Sequence, residues 1–262
     1  MSGVGAQVDP RAAVDPGAVL GEGTVVGPYS VVGPGVVIGA GVRIASHVVI
    51  QGPTVVGDEC EVHPFASLGG PPQDLKYRGE PTRLEIGRRN IFRETCTVSR
   101  GTAGGGGVTR IGDGNLFMAG AHVAHDCRVG NSTIFANAAT LAGHVTVGDF
   151  STVGAYSGVH QYCRIGEHAF IGGYSVITQD ALPYVLTVGN RARSHGINVI
   201  GLRRRNFGED AIGALRRAYL RLFRSKLLLK DAAESVEREM GGIPEVAKLL
   251  EFILTSERGV IR

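Results

Sequence analysis

Short apolar residues recur at every sixth position along most of the chain. In the first phase they are Val8, Val14, Leu20, Val26, Val32, Ile38, Ile44, Ile50, Val56, Val62, Leu68, Ile86, Phe92 and Val98. In the second phase, shifted by one position, they are Ile111, Phe117, Val123, Val129, Phe135, Leu141, Val147, Val153, Val159, Ile165, Ile171 and Ile177. A period of six fits neither an amphipathic helix nor an alternating strand. It is typical of a β-helix, whose stacked coils bury a ladder of side chains.

Three such hexads make one triangular coil of about eighteen residues, with a short strand on each of three faces. At about 4.8 Å per stacked strand, the eight to nine coils predict a prism roughly 40 Å tall. We therefore predict a mainly β fold. It consists of a left-handed parallel β-helix over residues 1–190 and an α-helical C-terminal domain over residues 191–262.

Two segments interrupt the repeat and predict loop insertions. The stretch 69–85 keeps the six-residue phase but lacks its apolar pattern, and the glycine-rich stretch 101–110 shifts the phase by one. Loops on a rigid scaffold are common places for binding residues. We expect both insertions to contribute to function.

The ladder ends near Pro183, and a helical pattern follows it. Apolar residues at spacings of three and four, beginning with Ile212, predict a first helix. Residues 227–240 predict a second helix that ends at Gly241. Pro244 is suited to a first helical turn and predicts a third helix reaching about Ser256.

The cysteines fit the repeat better than a metal site or disulfides. Cys60, Cys96, Cys127 and Cys163 each lie four residues after a ladder residue, where most other hexads carry a small side chain. A buried cysteine commonly acts as a small apolar residue, and unpaired cysteines fit a reducing compartment. The sequence shows neither a secretory signal nor an apolar run long enough to span a bilayer. We expect a soluble cytoplasmic protein without stable membrane insertion.

Positive charge is concentrated after the β-helix. Residues 190–230 contain eleven Lys or Arg and two acidic residues, a net charge of +9 within a chain whose total is +3. This region is either a solvated helix face or a docking surface for an acidic partner. Nucleic acid is a weaker candidate, because the few aromatic residues there suit a helical core better than a base-stacking platform.

Histidines cluster in the second phase of the repeat. His122, His125, His144 and His160 lie within forty residues. A register of eighteen places His125 beside Gly143 and Asp126 beside His144, one coil apart, with Gln161 following on the next coil. These positions lie at the corners of the prism, outside the core, so the cluster predicts a functional site. His47, His63 and His168 do not belong to this cluster, and we expect them to be surface or corner residues.

Two chemistries could use this cluster. An imidazole could act as general base on a hydroxyl while the Gly143 N–H stabilises the oxyanion of a thioester carbonyl. Alternatively, three imidazoles could bind Zn²⁺ and activate water, as in β-helix hydratases. Because His122 and His125 flank the inward-pointing Val123, their convergence on one metal is disfavoured.

Several motifs resemble one family of acyltransferases. They are P-Q-D-L-K-Y-R-G-E-P-T-R (72–83), H-V-A-H-D-C (122–127), L-A-G-H-V (141–145), V-H-Q-Y-C (159–163) and G-L-R-R-R-N-F (201–207). The resemblance is to the acyl carrier protein–UDP-N-acetylglucosamine O-acyltransferases, and it extends over essentially the whole chain. It implies transfer of an (R)-3-hydroxyacyl chain from acyl carrier protein to the 3-hydroxyl of UDP-N-acetylglucosamine, the first step of lipid A biosynthesis.

The same resemblance implies roles for particular residues. His125 would be the general base, oriented by Asp126, and the Gly143 N–H would be the oxyanion donor. Substrate or nucleotide would be held by Gln73, Asp74, His122, His144, His160, Gln161, Asn198, Arg204 and Arg205, and Gly173 would set the acyl length. The family implies no metal or other cofactor. It implies a homotrimer with sites between subunits, and its acidic carrier protein is a natural partner for the +9 region.

The chain departs from the family at two positions, and alternatives remain open. Ile200 replaces a common glutamate near the nucleotide, and Arg191 stands where a histidine can occur. The acceptor could instead be the 3-amino sugar nucleotide. A sister N-acyltransferase is disfavoured because the hexads begin at Val8, leaving no room for its additional N-terminal domain. The zinc hydratase and a purely structural β-helix are the alternatives from other classes.

Overall fold

The computed structural model describes residues 5–262, in which three parallel sheets form the faces of a triangular prism. The chain visits the first, second and third sheet in turn and then returns to the first. Strand partners are eighteen residues apart in uninterrupted coils, as for His122 and Thr140. The predicted register and left-handed parallel β-helix are confirmed.

The strands, numbered in chain order, are short. The first sheet contains β1 (Gln7–Val8), β4 (Val25–Val26), β7 (Arg43–Ile44), β10 (Glu61–Val62), β13 (Ile91–Phe92), β16 (Leu116–Phe117), β19 (Ile134–Phe135), β22 (Thr152–Val153), β25 (Phe170–Ile171), β27 (Val185–Val188) and β28 (Arg193–Ile197). The second contains β2 (Ala13–Val14), β5 (Val31–Val32), β8 (Val49–Ile50), β11 (Ser67–Gly70), β14 (Thr97–Ser99), β17 (His122–Val123), β20 (Thr140–Leu141), β23 (Gly158–Val159) and β26 (Val176–Ile177). The third contains β3 (Val19–Leu20), β6 (Val36–Ile38), β9 (Thr54–Val56), β12 (Arg83–Ile86), β15 (Val108–Ile111), β18 (Arg128–Val129), β21 (Thr146–Val147) and β24 (Arg164–Ile165). Within residues 5–262, only β28 runs antiparallel to its neighbour, β27.

The apolar ladder fills the interior of the prism. Its members are buried from Val26 onward, whereas Val8 in the first coil is 42% exposed. Phe92, Phe117 and Phe135 stack directly on one another with ring centroids 4.8 Å apart, which is the spacing of adjacent coils.

All four cysteines are buried and unpaired, as predicted. Burial raises the pKa of the Cys127 thiol to about 12 and that of Cys96 and Cys163 to about 11. These groups are therefore protonated at neutral pH and are poor nucleophiles or metal ligands.

The corners between sheets repeat one backbone conformation. The third residue after each ladder residue commonly has a left-handed φ, for example 60° at Asp126 and 62° at His144. We call the turn from the second to the third sheet, containing His125, Asp126, Gly143 and His144, the site corner. The turn from the third back to the first sheet, containing Asn90 and Asn115, is called the asparagine corner.

Both insertions leave the prism at the site corner. The first follows β11 and returns at β12, so the loop is residues 71–82, shorter than the expected 69–85. The second follows β14 and returns at β15, with a 3₁₀ turn at Ala103–Gly105. The pattern overestimated the loops because strand pairing continues through residues whose side chains do not follow the hexad.

The C-terminal region contains four helices packed around their own apolar core. They are α1 (Val199–Arg204), α2 (Glu209–Arg224), α3 (Leu229–Met240) and α4 (Pro244–Leu254). The short α1 gave no periodic signal and was not predicted. The last residues return to the prism, where Ile261 packs into the β-helix core. None of the helices within residues 5–262 has the length and apolar character needed to cross a bilayer.

Candidate active site

A carboxylate and two imidazoles meet at the site corner. The Asp126 Oδ2 lies 2.8 Å from His125 Nδ1 and 3.8 Å from His144 Nε2, and the Asp126 side chain has no solvent exposure. The two histidine rings are perpendicular, with centroids 5.2 Å apart. Because successive coils stack with a register of eighteen residues, His144 lies next to Asp126 and His125 of the preceding coil.

Gly143 faces the His125 ring from the next coil. A Cβ at this position would lie 2.5 Å from His125 Cε1, so any other residue would displace the imidazole ring. Gly143 is buried, and among the described residues its N–H has no hydrogen-bond acceptor. This N–H is therefore a free donor beside an imidazole.

In several coils of the asparagine corner the corresponding backbone N–H is paired. At the position two residues after the ladder, the N–H groups of Ala40, Arg88, Asp113 and Asn131 donate to an Asp or Asn side chain on the following coil. These bonds measure 2.7–2.9 Å. The Gly143 N–H has no such side-chain acceptor and is available to a ligand beside His125.

The other predicted histidines border this pair. His122 lies on the second sheet, and its Nδ1 is 2.7 Å from the Thr97 hydroxyl. His160 is exposed one coil further on, beside the exposed Gln161. Burial lowers the pKa of His122, and the nearby His125 lowers it further. Burial likewise lowers the pKa of His144, although the Asp126 carboxylate acts in the opposite direction.

The first insertion folds over the site corner. Together with the second insertion it forms a cleft of ≈ 220 Å³ lined by Asp74, Lys76, Tyr77, Thr102, His144 and Tyr162. The Tyr162 ring stacks on His144 at 4.4 Å. Gln73 is exposed on the same loop. Wider clefts lie along the third sheet, but they contain neither His125 nor His144.

The remaining predicted residues lie elsewhere on the chain. The Asn198 side chain donates to the His168 carbonyl, and the Arg205 guanidinium lies over the Phe150 ring, both at the asparagine corner. Arg204 and Ile200 are exposed on α1, and Arg191 is exposed before β28. Gly173 is exposed at the corner between the first and second sheets. One chain therefore does not bring these residues to His125.

Sequence reasoning missed three neighbours of the site: Thr97, Thr102 and Tyr162. Tyr162 could have been found, because it occupies the third corner position one register after His144. Thr102 lies in an insertion, where the repeat gives no register. Its contact with Asp126 depends on how that loop folds.

The zinc alternative can be compared with this geometry. His125, Asp126 and His144 present donor atoms within 4.8 Å of one another, so one cation could contact all three. However, Asp126 already accepts hydrogen bonds from Thr102 and His125. The expected third imidazole, His122, is bonded to Thr97 on the flat face of the second sheet. The arrangement matches an imidazole oriented by a carboxylate better than a three-histidine zinc site.

Known proteins resemble this chain over nearly its full length. The hexapeptide-repeat model of bacterial transferases matches residues 17–52, 35–70 and 144–179. The model described as UDP-N-acetylglucosamine O-acyltransferase, domain 2, matches residues 180–261. The acyl-[acyl-carrier-protein]–UDP-N-acetylglucosamine O-acyltransferase of Thermodesulfovibrio yellowstonii is 50% identical over 216 residues, which are 82% of this chain and 84% of the relative.

Solved structures agree with this assignment. LpxA from Acinetobacter baumannii is 44% identical with a TM-score of 0.94, and the match covers 97% of this chain and 99% of that one. The LpxA of Bacteroides fragilis, a UDP-N-acetylglucosamine acyltransferase, is 37% identical with a TM-score of 0.95 and the same coverage. With its hexads, its site corner and these similarities, the chain belongs to the acyl-[acyl-carrier-protein]–UDP-N-acetylglucosamine O-acyltransferase family.

Proposed function

We propose that the protein transfers an (R)-3-hydroxyacyl chain from acyl carrier protein to the 3-hydroxyl of UDP-N-acetylglucosamine, the first step of lipid A biosynthesis. Family membership supports this reaction. The observation that carries the mechanism is the His125–Asp126 pair facing the free N–H of Gly143. A base and an oxyanion donor side by side are what acyl transfer to a hydroxyl requires.

The reaction follows from the placement of these groups. Asp126 accepts the Nδ1 proton of His125, which leaves Nε2 free to take the proton of the sugar hydroxyl. The sugar oxygen attacks the thioester carbon, and the Gly143 N–H stabilises the resulting oxyanion. When the tetrahedral intermediate collapses, the C–S bond breaks and the imidazolium returns its proton to the leaving thiolate.

The cleft under the first insertion is suited to the acceptor sugar. Asp74 and His144 line it, and we propose that Gln73, His122, His160 and Gln161 complete the hydrogen bonds to the sugar or donor. The lowered pKa of His144 keeps its imidazole neutral at pH 7, so it can both donate and accept. In this proposal the neighbours of His125 bind the substrates, and His125 alone transfers the proton.

We propose that Gly173 limits the acyl chain. The outer surface of the second sheet carries small residues between His125 and Gly173, including Ala142 and Gly158, and a Cβ at Gly158 would meet no atom within 4 Å. Replacing Gly173 by methionine should shift preference to shorter donors. A Gly173→Met enzyme that kept the wild-type ranking of acyl lengths would contradict this role.

We propose that the active enzyme is a homotrimer with sites between subunits. The proposed nucleotide residues Asn198 and Arg205 lie at the asparagine corner, and His125 lies at the site corner, so the third sheet separates them within one chain. A second copy could bring its Asn198, Arg204 and Arg205 to the first copy's site corner. This arrangement would unite all the proposed substrate residues.

Subunit complementation tests the shared site. His125→Ala and Asn198→Ala chains should each have low activity alone. Mixed oligomers should regain activity, because some interfaces then combine an intact His125 with an intact Asn198. Mixtures no more active than the separate variants, with mixing verified by mass spectrometry, would argue against a site between subunits.

We propose that the outer face of α2 binds the acidic carrier protein. Arg216, Arg217 and Arg221 are exposed there, within the +9 region. Reversing all three to glutamate should raise KM for the acyl carrier protein thioester, most at low salt, because rim charges act mainly on encounter. A matched reversal of Arg88, Arg89 and Arg128 on the prism should leave KM near wild type. If both triple variants changed KM equally, the arginines of α2 would be a solvated face and not a binding surface.

A zinc-dependent hydratase is the second candidate, favoured only by the three donor atoms of His125, Asp126 and His144. The two functions separate in one experiment. Acyl transfer is assayed with a panel of acyl carrier protein thioesters and with both the 3-hydroxyl and the 3-amino sugar nucleotide, before and after dialysis against a chelator. We expect chelator-resistant transfer to the 3-hydroxyl. We place the reaction in the cytoplasm, which suits the four unpaired cysteines.

A further inference from the structure

The second insertion places Thr102 directly on the Asp126 carboxylate. The Thr102 backbone N–H donates to Asp126 Oδ1 at 2.9 Å, and its hydroxyl donates to Oδ2 at 2.6 Å. Both carboxylate oxygens are therefore held by one residue. The hydroxyl also accepts from the Gly105 N–H at 3.2 Å, which fixes the direction of its own proton.

Gly105 closes the insertion against the same carboxylate. A side chain at this position would overlap the Asp126 carboxylate. The 3₁₀ turn thus lies in contact with Asp126, and the carboxylate is fully buried beneath it. A buried carboxylate is stable only when its oxygens accept hydrogen bonds, and Thr102 supplies two of them.

Asp126 has two histidines within reach. Its Oδ2 is 2.8 Å from His125 Nδ1 and 3.8 Å from His144 Nε2, so a modest rotation of the carboxylate would exchange partners. The Asp126 backbone is fixed separately, by its N–H donating to Thr109 Oγ1 at 2.8 Å. The two hydrogen bonds from Thr102, one to each oxygen, hold the carboxylate in the orientation that faces His125.

We propose that Thr102 is a positioning residue for acyl transfer, which fixes the Asp126 carboxylate on His125 and away from His144. This role rests on the proposed function of His125 as general base. This role also gives a reason for the second insertion. A coil without the insertion would have no residue placed to donate to both oxygens of the Asp126 carboxylate. The insertion that interrupts the repeat thereby orients His125, the base, on the next coil.

Thr102→Val removes the hydroxyl and keeps the shape and the backbone N–H. Because hydrogen bonds to charged groups are among the stronger ones, we expect kcat to fall about tenfold or more. KM for either substrate should change less than about twofold, since Thr102 lines the cleft but its hydroxyl, the group that is lost, bonds to Asp126 and Gly105. Thr102→Ser keeps the hydroxyl and should restore most of the lost kcat. Thr146→Val, an exposed threonine-to-valine change on the third sheet, is the matched control.

A double-mutant cycle with Asp126→Asn identifies the route of the effect. If Thr102 acts through Asp126, Thr102→Val should cost less than about twofold further in the Asp126→Asn enzyme. Multiplied losses, failure of Thr102→Ser to rescue, or unchanged kcat in Thr102→Val would each overturn the proposal. If Thr102→Val does not fold, Gly105→Ala can replace it in the cycle, because the added Cβ would overlap the Asp126 carboxylate.

His125→Ala, measured in parallel, keeps the two claims apart. Loss of activity in His125→Ala together with a silent Thr102→Val contradicts only the role of Thr102. Full activity in His125→Ala contradicts the proposed base, whatever the result at Thr102.

Discussion

The two corners that border the third sheet are built from the same hexad but serve different purposes. At the asparagine corner, Asn90 accepts from the backbone and side chain of Asn115, and Asn115 accepts from the backbone and hydroxyl of Thr133, all of them buried. At the site corner, Asp126 turns its carboxylate to a histidine, and the Gly143 N–H is left free. The asparagine corner joins successive coils by hydrogen bonds, and the site corner leaves polar groups available to a ligand.

This difference shows how a repeat protein acquires a site. The backbone conformation is the same at both corners, with a left-handed φ of 54° at Ser132 and of 62° at His144. What changes is which polar groups are satisfied internally. A corner whose donors are paired contributes stability, and a corner whose donors are free can act on a ligand.

The largest expected effect comes from closing the site corner. Gly143→Ala would place a Cβ against the His125 ring and disturb both base and oxyanion donor. We expect kcat to fall about a hundredfold, which is the size of effect seen when an oxyanion donor is lost. Gly208→Ala is the control, because a Cβ there meets no atom within 4 Å and its φ is −64°. Near-wild-type kcat in Gly143→Ala would show that this corner is not the reacting centre.

His144 and His168 occupy the same corner position and allow a direct exchange. His144→Phe keeps an aromatic ring on Tyr162 but removes the hydrogen-bonding nitrogens. Losing one ligand hydrogen bond should raise KM for the sugar nucleotide about fivefold to tenfold. His168→Phe, at the asparagine corner, keeps the backbone carbonyl that accepts from Asn198, so KM should change much less. Equal KM values in the two variants would remove the distinction between the corners.

The asparagine ladder should respond in stability and not in activity. Asn115→Ala leaves the buried N–H and hydroxyl of Thr133 without their acceptor, so the free energy of unfolding should fall by about 2 kcal/mol. Chemical denaturation measures this change, with the exposed Asn137→Ala as control. Because Asn115 contacts no group of the site corner, kcat should match the wild type. A stable but inactive Asn115→Ala enzyme would contradict this division of roles.

The smallest effect is a change in the pH dependence of stability. Burial lowers the pKa of His168 in the folded protein, against the weaker opposing effect of Glu167. The unfolded chain therefore binds the proton more readily, and stability falls as pH drops below about 6.5. The melting temperature of His168→Phe should decline less between pH 7 and pH 5.5 than that of the wild type. A steeper decline in the variant would show the opposite sign.

The sequence predicted the periodic features and missed those that depend on irregular loops. The ladder and its register of eighteen placed His125 beside Gly143, because stacking depends only on position within the hexad. Thr102 could not be placed, since the second insertion has no register. Ile261 was also missed, because its packing in the β-helix core follows from the path of the C-terminal region.

The asparagine ladder shows a different limit. Asn90 and Asn115 occupy the small-residue position four after a ladder residue, where the pattern predicts only a compact buried side chain. Their value lies in the bonds between coils, which appear only when the two coils are stacked. The residue type at one position could not distinguish a side chain that only fills space from one that forms hydrogen bonds between coils.

The central claim is that His125 is the base at the site corner, and its most direct test is acyl transfer by His125→Ala under single-turnover conditions. The variant should bind acyl carrier protein thioester and UDP-N-acetylglucosamine as the wild type does. Its rate of transfer should be lower by at least about a hundredfold, as expected for a lost general base. Transfer by His125→Ala at the wild-type rate would contradict the account.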